Sequence, residues 1–281
     1  MEWRGRRTSQ NVEDRRSSAG VRAGGIGGVG LIAVMVIGYF LGIDVTPLLN
    51  DPSMTQSATS TELTQEEKVA GEFVSVTLAD TEEVWAALFK SQIGKSYKPT
   101  TLVLYKGVTQ SPCGGASGAT GPFYCPGDKK VYLDTGFFAT MEQELGASGD
   151  FAMAYVVAHE VAHHVQDELG ILGKANDIRA QVSETESNQI SVRIELQADC
   201  LSGVWAREVH QRFGSIEQGD VEEAVNAARK IGDDTLQRNA GQYPNPHSFT
   251  HGTSEQRSRW FMTGLQSGQM ATCDTFAAEQ L

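Results

Sequence analysis

Two histidines and a glutamate in one short stretch have the types and spacing of a metal-dependent hydrolytic site. The stretch reads His159-Glu160-Val161-Ala162-His163. Residues four apart lie on one face of an α-helix, so both imidazoles could bind a single metal ion. Glu160 lies about 100° around that helix, where its carboxylate could act as a base on a water at the metal. The pattern predicts a zinc-dependent hydrolase, and the alternative is a helix face that carries two histidines without a metal.

A catalytic zinc site needs a third protein ligand, which we expect downstream. In the stretch Glu195-Leu196-Gln197-Ala198-Asp199, the two acidic residues are four apart and face the same way on a helix. Glu195 is the predicted third ligand, and Asp199 is predicted to accept a hydrogen bond from the free ring nitrogen of a ligand histidine. The alternatives are a surface carboxylate and a helix-face charge. Two other residues could replace Glu195, although neither is followed by an aspartate four positions later: Glu184 and Glu186.

A second group of residues could stabilise negative charge during hydrolysis. Thr253 and Gln256 form a capping box that predicts a helix start. His251 lies just before it, and Arg257 lies in its first turn, where a cation opposes the helix dipole and needs an anionic or carbonyl partner. We predict that His251 and Arg257 are catalytic residues that hold the oxyanion formed when water attacks a carbonyl group. The alternative is a structural histidine and a surface arginine.

Charge is unevenly distributed along the chain, which has 281 residues and a formal net charge of −12. Residues 1–22 carry six arginines against three acidic residues, whereas the rest carries 17 basic and 32 acidic residues. An acidic body argues against nucleic acid and anionic lipid as partners of the folded part. We therefore expect no nucleic acid among its partners.

An uncharged run of 21 residues separates Arg22 from Asp44. Its length suits a transmembrane helix, and the arginines before it and acidic residues after it place the N-terminus in the cytoplasm. The sequence thus predicts a basic cytoplasmic tail (1–23), a transmembrane helix in the lipid bilayer (24–43), a flexible tether (44–65) and an extracytoplasmic domain (66–281). This describes a single-pass protein of the cell (inner) membrane with a periplasmic or extracellular domain. The alternatives are a cleaved signal peptide and a buried helix of a soluble protein.

The four cysteines all follow the apolar run, on the side where disulfides are expected to persist. Four cysteines allow three pairings. We predict the pair Cys113–Cys125, which would close a short glycine-rich loop, and the pair Cys200–Cys273, which would tie the C-terminal tail to a helix. The chain contains no CxxC, so a zinc site built from cysteines is not expected.

Periodicity and turn signals predict an α+β domain that is mostly helical with a small sheet. The predicted strands cover 101–105, 123–125 and 130–133, and residues 109–121 are expected to form a loop. The metal motif falls in a helix over 150–169, and the downstream acidic pair falls in a helix over 190–213. Between residues 66 and 93 we expect two helices, because Asp80 and Glu83 resemble a capping box that starts the second one.

These segments together resemble the neutral zinc metallopeptidase family of bacteria, a membrane-anchored group related in motif to the zincins whose third ligand is glutamate. The resemblance covers almost the whole chain and includes, besides the metal motif, the segments 11–16, 121–126, 131–134, 195–200 and 251–257. It implies a bound zinc ion, and a strand near the metal helix that pairs with extended substrate. The candidate for that strand lies between Phe123 and Leu133. The resemblance implies no particular substrate.

The sequence therefore predicts a membrane-anchored zinc metalloendopeptidase, with zinc bound by His159, His163 and Glu195 and with Glu160 as general base. Its substrate would be a peptide or protein in the envelope or membrane. Two alternatives remain open. One is a catalytically inactive, membrane-tethered zinc protein that binds a partner, although zinc binding alone would not require Glu160. The other is a zinc amidase that acts on cell-wall bonds.

Overall fold

The structure is a computed structural model that describes residues 1–16, 62–117 and 121–281. These residues form an α+β fold of helices around a small sheet, which confirms the predicted fold class. In the described ranges, no helix is both long and apolar enough to cross a bilayer. The predicted transmembrane helix over 24–43 and most of the predicted tether lie outside those ranges.

Eight α-helices are present in the described part of the chain. Their bounds are α1 (Gln65–Leu88), α2 (Phe137–Gln143), α3 (Asp150–Glu168), α4 (Ile171–Arg179), α5 (Glu184–Phe213), α6 (Asp220–Lys230), α7 (Asp233–Asn239) and α8 (Ser254–Ser267). Short turns of π-helix and 3-10 helix add three further segments: Phe89–Ile93, Pro246–Ser248 and Met270–Cys273. The predicted capping box of Thr253 and Gln256 is present at the start of α8. A capping box formed by Ser183 and Glu186 starts α5 six residues earlier than predicted.

A four-stranded mixed sheet covers one side of the helices. Its strands are β1 (Val12–Asp14), β2 (Thr101–Tyr105), β5 (Phe123–Cys125) and β6 (Lys130–Asp134), in the order β1-β2-β6-β5. β2 is parallel to both β1 and β6, whereas β5 is antiparallel to β6 and forms an edge of the sheet. A separate hairpin, β3 (Val108–Ser111) with β4 (Gly114–Ser117), replaces the beginning of the loop predicted over 109–121.

The expectation of two helices between residues 66 and 93 is wrong. A single helix, α1, continues through Asp80, and its capping box is formed by Thr64 and Glu67. Asp80 is buried and accepts two hydrogen bonds from the Arg6 guanidinium, at 2.7 and 2.8 Å. Asp80 therefore does not cap a helix. Its carboxylate pairs with Arg6, which is distant in sequence.

Residues 1–16 also differ from the expected cytoplasmic tail, because they pack against the domain. β1 pairs with β2 in register, with Val12 opposite Leu102. Trp3 is only 6% exposed and packs edge-on against Phe73 of α1, with ring centroids 5.5 Å apart. The domain boundary at residue 66 is corrected accordingly: residues 1–16 belong to the same fold as residues 62–281.

Helix α3 runs through the interior of the domain and contacts α1, α4, α5 and α6 as well as strands β5 and β6. Nearly every residue from Phe151 to Gln166 is buried, including its polar ones. The polar side chains of the metal motif therefore need partners inside the protein. The partners of the two histidines come from α5 and from Gln166 on α3 itself. Helix α8 approaches α5 closely because Gly203 and Gly264 carry no side chain at their contact.

Both predicted disulfides are present, which confirms the cysteine pairing. Cys113–Cys125 joins the β3–β4 hairpin to the edge strand β5, and Cys200–Cys273 joins α5 to the C-terminal segment. The first bond therefore fixes β5, which lies beside the metal helix α3. The second fixes the C-terminal segment to α5, which carries Glu195.

Candidate metal centre

The three predicted metal ligands converge in the structure, although they come from two helices. His159 and His163 lie one turn apart on α3, and Glu195 faces them from α5. The Glu195 carboxylate lies 3.0 Å from Nε2 of His159 and 3.5 Å from Nε2 of His163. One ligand atom from each residue lies within 4.8 Å of the others. The arrangement presents two nitrogens and an oxygen toward one point.

The electrostatics of this cluster favour a bound cation. Burial alone lowers the pKa of His159, but the carboxylates of Asp199 and Glu195 outweigh burial and raise it to about 10. Burial alone raises the pKa of Glu195, but His163 and His159 outweigh it and hold that pKa well below its usual range. Glu195 is therefore an anion near neutral pH, as a metal ligand must be.

Asp199 contacts the ring nitrogen of His159 that does not face Glu195. Its carboxylate accepts a hydrogen bond of 2.9 Å from Nδ1 of His159 and one of 2.5 Å from the hydroxyl of Tyr155. The side chain is fully buried. Burial raises the pKa of Asp199, but Arg257 and His159 overcome this and lower it to about 2. With Nδ1 occupied in this way, Nε2 of His159 is the atom that faces Glu195.

Arg257 has the anionic and carbonyl partners that its place in the first helical turn requires. It is 2% exposed and donates to Asp199 through Nε at 2.8 Å and through Nη2 at 3.0 Å. Its remaining hydrogen bonds go to the Tyr155 hydroxyl and the carbonyl oxygen of Ile231. Although it borders the cleft, its donors are directed to protein partners. Arg257 therefore positions His159 through Asp199, and its contact with an oxyanion stays a prediction.

Gln166 orients the second histidine, a role that the sequence analysis missed. Its amide oxygen lies 2.9 Å from Nδ1 of His163, three residues earlier on α3. Its amide nitrogen donates to the carbonyl oxygen of Ile194 at 2.8 Å and to the side chain of Gln197 at 3.0 Å. The spacing of three on a helix was the available signal, but its partners on α5 are distant in sequence.

His251 lies at the wall of the same cleft, and Asp233 holds it there. Nδ1 of His251 is 2.9 Å from the Thr250 hydroxyl and 3.3 Å from the Asp233 carboxylate. Asp233 also accepts three backbone N–H groups, from Thr250, His251 and Gly252, at 2.6 to 2.9 Å. Burial alone lowers the pKa of His251, but Asp233 and Glu195 raise it. The sequence analysis missed Asp233 because it lies 18 residues before its partner.

A cleft of about 1030 Å³ opens over the metal ligands, and Glu160 and His251 both line it. Burial raises the pKa of Glu160, an effect that the nearby His163 and His159 partly offset. A carboxylate with a raised pKa next to a metal site is suited to take up a proton and release it again. The remaining walls come from several elements, including the segment before β5, helix α4 and helix α7.

The edge strand β5 is fixed beside the metal helix. The Tyr124 hydroxyl lies 2.9 Å from the Asp167 carboxylate and 3.1 Å from Nδ1 of His164, both on α3. Nε2 of His164 lies 2.7 Å from the carbonyl oxygen of Lys98. His164 therefore has a packing role, as its position about 100° from His163 on a helix suggests.

The donor set fits zinc. Two imidazole nitrogens with one carboxylate is a ligand set of catalytic zinc sites, and both imidazoles have their other nitrogen engaged by a protein acceptor, as metal-bound histidines usually do. A second group of acidic residues, Asp150, Asp220 and Glu223, also lies close together. Asp150 and Asp220 accept hydrogen bonds from the amino group of Met1, at 2.6 and 3.2 Å.

An HExxH helix, a glutamate from a following helix and an α+β framework define the class of zinc metallopeptidases whose third ligand is glutamate. The chain belongs to the family described as "Putative neutral zinc metallopeptidase", whose model matches residues 1–276. The resemblance drawn from the sequence is thereby confirmed.

Relatives of this chain occur in distant bacteria. It is 47% identical to the Escherichia coli K12 protein named "Uncharacterized protein YpfJ", over 98% of this chain and 99% of the relative. It is 42% identical to "Uncharacterized protein Rv2575" of Mycobacterium tuberculosis, over 66% of this chain and 65% of the relative. No solved structure matches the chain significantly. The names of these relatives state no activity and no substrate.

Proposed function

We propose that this protein is a zinc-dependent metalloendopeptidase that hydrolyses peptide bonds in its cleft. The observation that carries the proposal is the convergence of His159, His163 and Glu195 next to Glu160, at the base of an open cleft. A protein that only stored or sensed zinc would need the three ligands but not the adjacent buried carboxylate. Glu160 has no hydrogen bond or ion pair that would explain it structurally among the interactions found for the described residues.

Glu160 would act as the general base and then as the general acid. A bound zinc ion would supply Lewis acidity, which activates water and polarises the scissile carbonyl. Glu160 accepts the proton as water attacks and delivers it to the leaving amine. Its raised pKa suits both steps, because a base whose pKa lies closer to neutrality returns the proton more readily.

His251 would stabilise the oxyanion. Its raised pKa favours the protonated imidazole, which is a donor at both nitrogens. Asp233 holds Nδ1, so the other nitrogen is free to face the cleft. A donor placed where negative charge develops lowers the barrier without reorganisation during the reaction.

The edge strand β5 would align the substrate. An edge strand presents unpaired backbone groups that an extended peptide can pair with. β5 borders the cleft, and Tyr124 fixes it to the metal helix. The disulfide at Cys125 fixes the far end of the same strand. A rigid edge next to the ligands would orient a peptide bond over the base.

We also propose that the domain works outside the cytoplasm, and that the uncharged run over residues 24–43 attaches it to the membrane without crossing from one side to the other. Two disulfides and no free cysteine in the described residues support an oxidising compartment. The uncharged run in the sequence supports attachment. Substrates would then be envelope, secreted or membrane proteins.

The direct test is a peptide-library digest with the purified full-length chain, because residues 1–16 are part of the domain. The protein is assayed as purified, after treatment with a chelator, and after zinc is restored. We expect cleavage within peptides, loss of cleavage with the chelator and recovery with zinc. Stoichiometric zinc binding without cleavage of any peptide would instead favour a partner-binding protein, and release of cell-wall fragments alone would favour an amidase.

A further inference from the structure

We infer that residues 1–16 and residues 62–281 lie on the same side of the membrane. The N-terminal segment forms an integral part of the peptidase domain, so it cannot be a tail held across the bilayer from that domain. The inference rests on contacts of the described residues and does not depend on zinc or on hydrolysis.

Backbone pairing provides the first support. β1 is parallel to β2 along its whole length, and the backbone hydrogen bonds continue past both of its ends. The N–H of Leu102 donates to the carbonyl oxygen of Asn11 at 2.8 Å, and the N–H of Arg15 donates to that of Leu104 at 2.8 Å. β2 lies between β1 and β6 in the sheet. Without β1, this buried strand would become an exposed edge, which proteins usually avoid.

Side-chain anchors provide the second support. Trp3 buries its indole against Phe73 of α1. The backbone N–H of Ser9 donates to the carbonyl oxygen of Ser75 at 3.0 Å. Asn11 donates to the Glu82 carboxylate at 2.7 Å. The segment therefore follows α1 over several turns instead of touching it at one point.

The arginines provide the third support, and they change how the charge bias is understood. Arg6 forms a two-point ion pair with the buried Asp80. Arg7 donates to Glu83 at 2.8 Å and to the carbonyl oxygen of Ala79 at 2.7 Å. A rule that counts arginines near an apolar run assumes that they are free charges at the membrane surface. Arg6 and Arg7 are instead partners within the fold, so these two charges do not indicate a cytoplasmic tail.

Arg16 and Glu67, which precede and follow the uncharged run in the sequence, are in contact. The Arg16 guanidinium donates to the carbonyl oxygen of Glu67, in the first turn of α1, and packs against Gly71. The described residues on either side of 17–61 are therefore in contact with each other. One crossing of the membrane within residues 17–61 would separate Arg16 from Glu67 by the apolar core of a bilayer, which is about 30 Å thick. A single crossing is incompatible with their contact.

Cysteine labelling of the full-length protein tests the inference directly. Thr8→Cys and Gln211→Cys each place one thiol at an exposed position, one in each segment. Intact spheroplasts are treated with a membrane-impermeant maleimide, and lysed spheroplasts show full reactivity. We expect the two variants to behave alike, and both to react in intact spheroplasts if the domain is extracytoplasmic. Labelling of one position with protection of the other would overturn the inference.

A cross-link tests the docking itself. Ser9→Cys combined with Ser75→Cys places two thiols where the backbones are hydrogen-bonded, and Ser9→Cys with Gln211→Cys is the matched control. Membranes are opened and treated with a mild oxidant, and the bonds are mapped by mass spectrometry. We expect a bond between residues 9 and 75 and none in the control. If the native pair Cys200–Cys273 is intact but residues 9 and 75 do not join, the segment is not docked and the inference fails. Neither outcome bears on whether the protein cleaves peptides.

Discussion

Each ligand histidine depends on a partner that keeps its Nε2 directed at the metal position. Asp199 does this for His159, and Gln166 does it for His163. Tyr155 and Arg257 in turn hold Asp199, so a buried network fixes the first histidine. Orientation through such partners usually changes metal affinity by about 10–100-fold.

Substitutions at the two acidic residues of α5 should separate ligation from orientation. We expect Glu195→Ala to lose zinc, because it removes a ligand atom, and Asp199→Asn to bind zinc about 10–100-fold more weakly. Glu184→Ala, at the exposed start of the same helix, is the control and should bind zinc normally. Zinc content and competition with a chelating dye measure the affinities. Normal zinc binding by Glu195→Ala would move the third ligand to another residue.

The pairing of His251 with Asp233 predicts a shift in the pH dependence of catalysis. The protonated imidazole is the oxyanion donor, so activity is present below the raised pKa of His251 and is lost as pH rises through it. Asp233→Asn removes a negative charge that raises the pKa of His251. The alkaline limb of kcat/KM should therefore move to lower pH, whereas Asp234→Asn should leave it in place. An unmoved limb in Asp233→Asn would show that His251 is not the titrating donor.

The hydrogen-bond partners of His251 and His163 illustrate what could not be predicted from the sequence. The spacings that define His159, His163 and Glu195 are local, so helix periodicity was enough to select them. Asp233 lies in a seven-residue helix, α7, that the sequence analysis did not predict. Arg257 was predicted to need an anionic partner, and the sequence could not show that Asp199 of α5 is one.

Among the helices, the contact between α5 and α8 controls the network behind His159. α5 carries both acidic residues of the site and α8 carries Arg257, so their spacing sets the ion pair. A Cβ on Gly264 would lie well inside contact distance of the carbonyl oxygen of Cys200. The two backbones can approach this closely only because glycine occupies the position.

Gly264→Ala should therefore push α8 away from α5. We expect a loss of at least about 1–3 kcal/mol in the free energy of unfolding, as for other overpacked sites, together with weaker zinc binding. Gly173→Ala in α4 is the control, because its Cβ meets nothing within 4 Å. That change should be neutral or stabilising by up to about 1 kcal/mol. Urea unfolding measures both variants, and equal stability would contradict the packing argument.

Local signals were enough for the elements nearest the site. The strands over 101–105 and 123–125 match the predictions, as does the helix that carries the metal motif. The errors occur where a distant partner decides the structure. Asp80 continues a helix because Arg6 neutralises it, and β1 becomes a strand because β2 is available to pair with it.

The two disulfides constrain the chain as a whole to different extents. Cys113–Cys125 closes a loop with a sequence separation of 12, and Cys200–Cys273 closes one of 73. The chain-entropy model gives about 3 kcal/mol for the short loop and about 4–5 kcal/mol for the long one. Replacing both cysteines of a pair by alanine should therefore cost more at Cys200–Cys273. Urea unfolding of the two double variants checks this, and a larger loss at Cys113–Cys125 would contradict the loop-length argument.

The position of residues 1–16 shows why the whole molecule was harder to predict than its site. Arginines before an apolar run are typical of a cytoplasmic tail, and no local feature of the sequence distinguishes a tail from a docked strand. The distinction comes from contacts with α1 and β2, which lie beyond residue 64. The cleft, its ligands and this segment thus belong to one folded unit.

The central claim is that Glu160 performs proton transfer at a zinc site that hydrolyses peptides. The most direct measurement compares kcat/KM and zinc content of the full-length wild type, Glu160→Gln and the control Glu168→Gln from the end of the same helix. Loss of a general base typically costs about 10²–10⁴-fold in rate. The account predicts equal zinc in all three proteins, a loss of at least that size in Glu160→Gln and near-normal cleavage in the control. Full activity of zinc-loaded Glu160→Gln would contradict it.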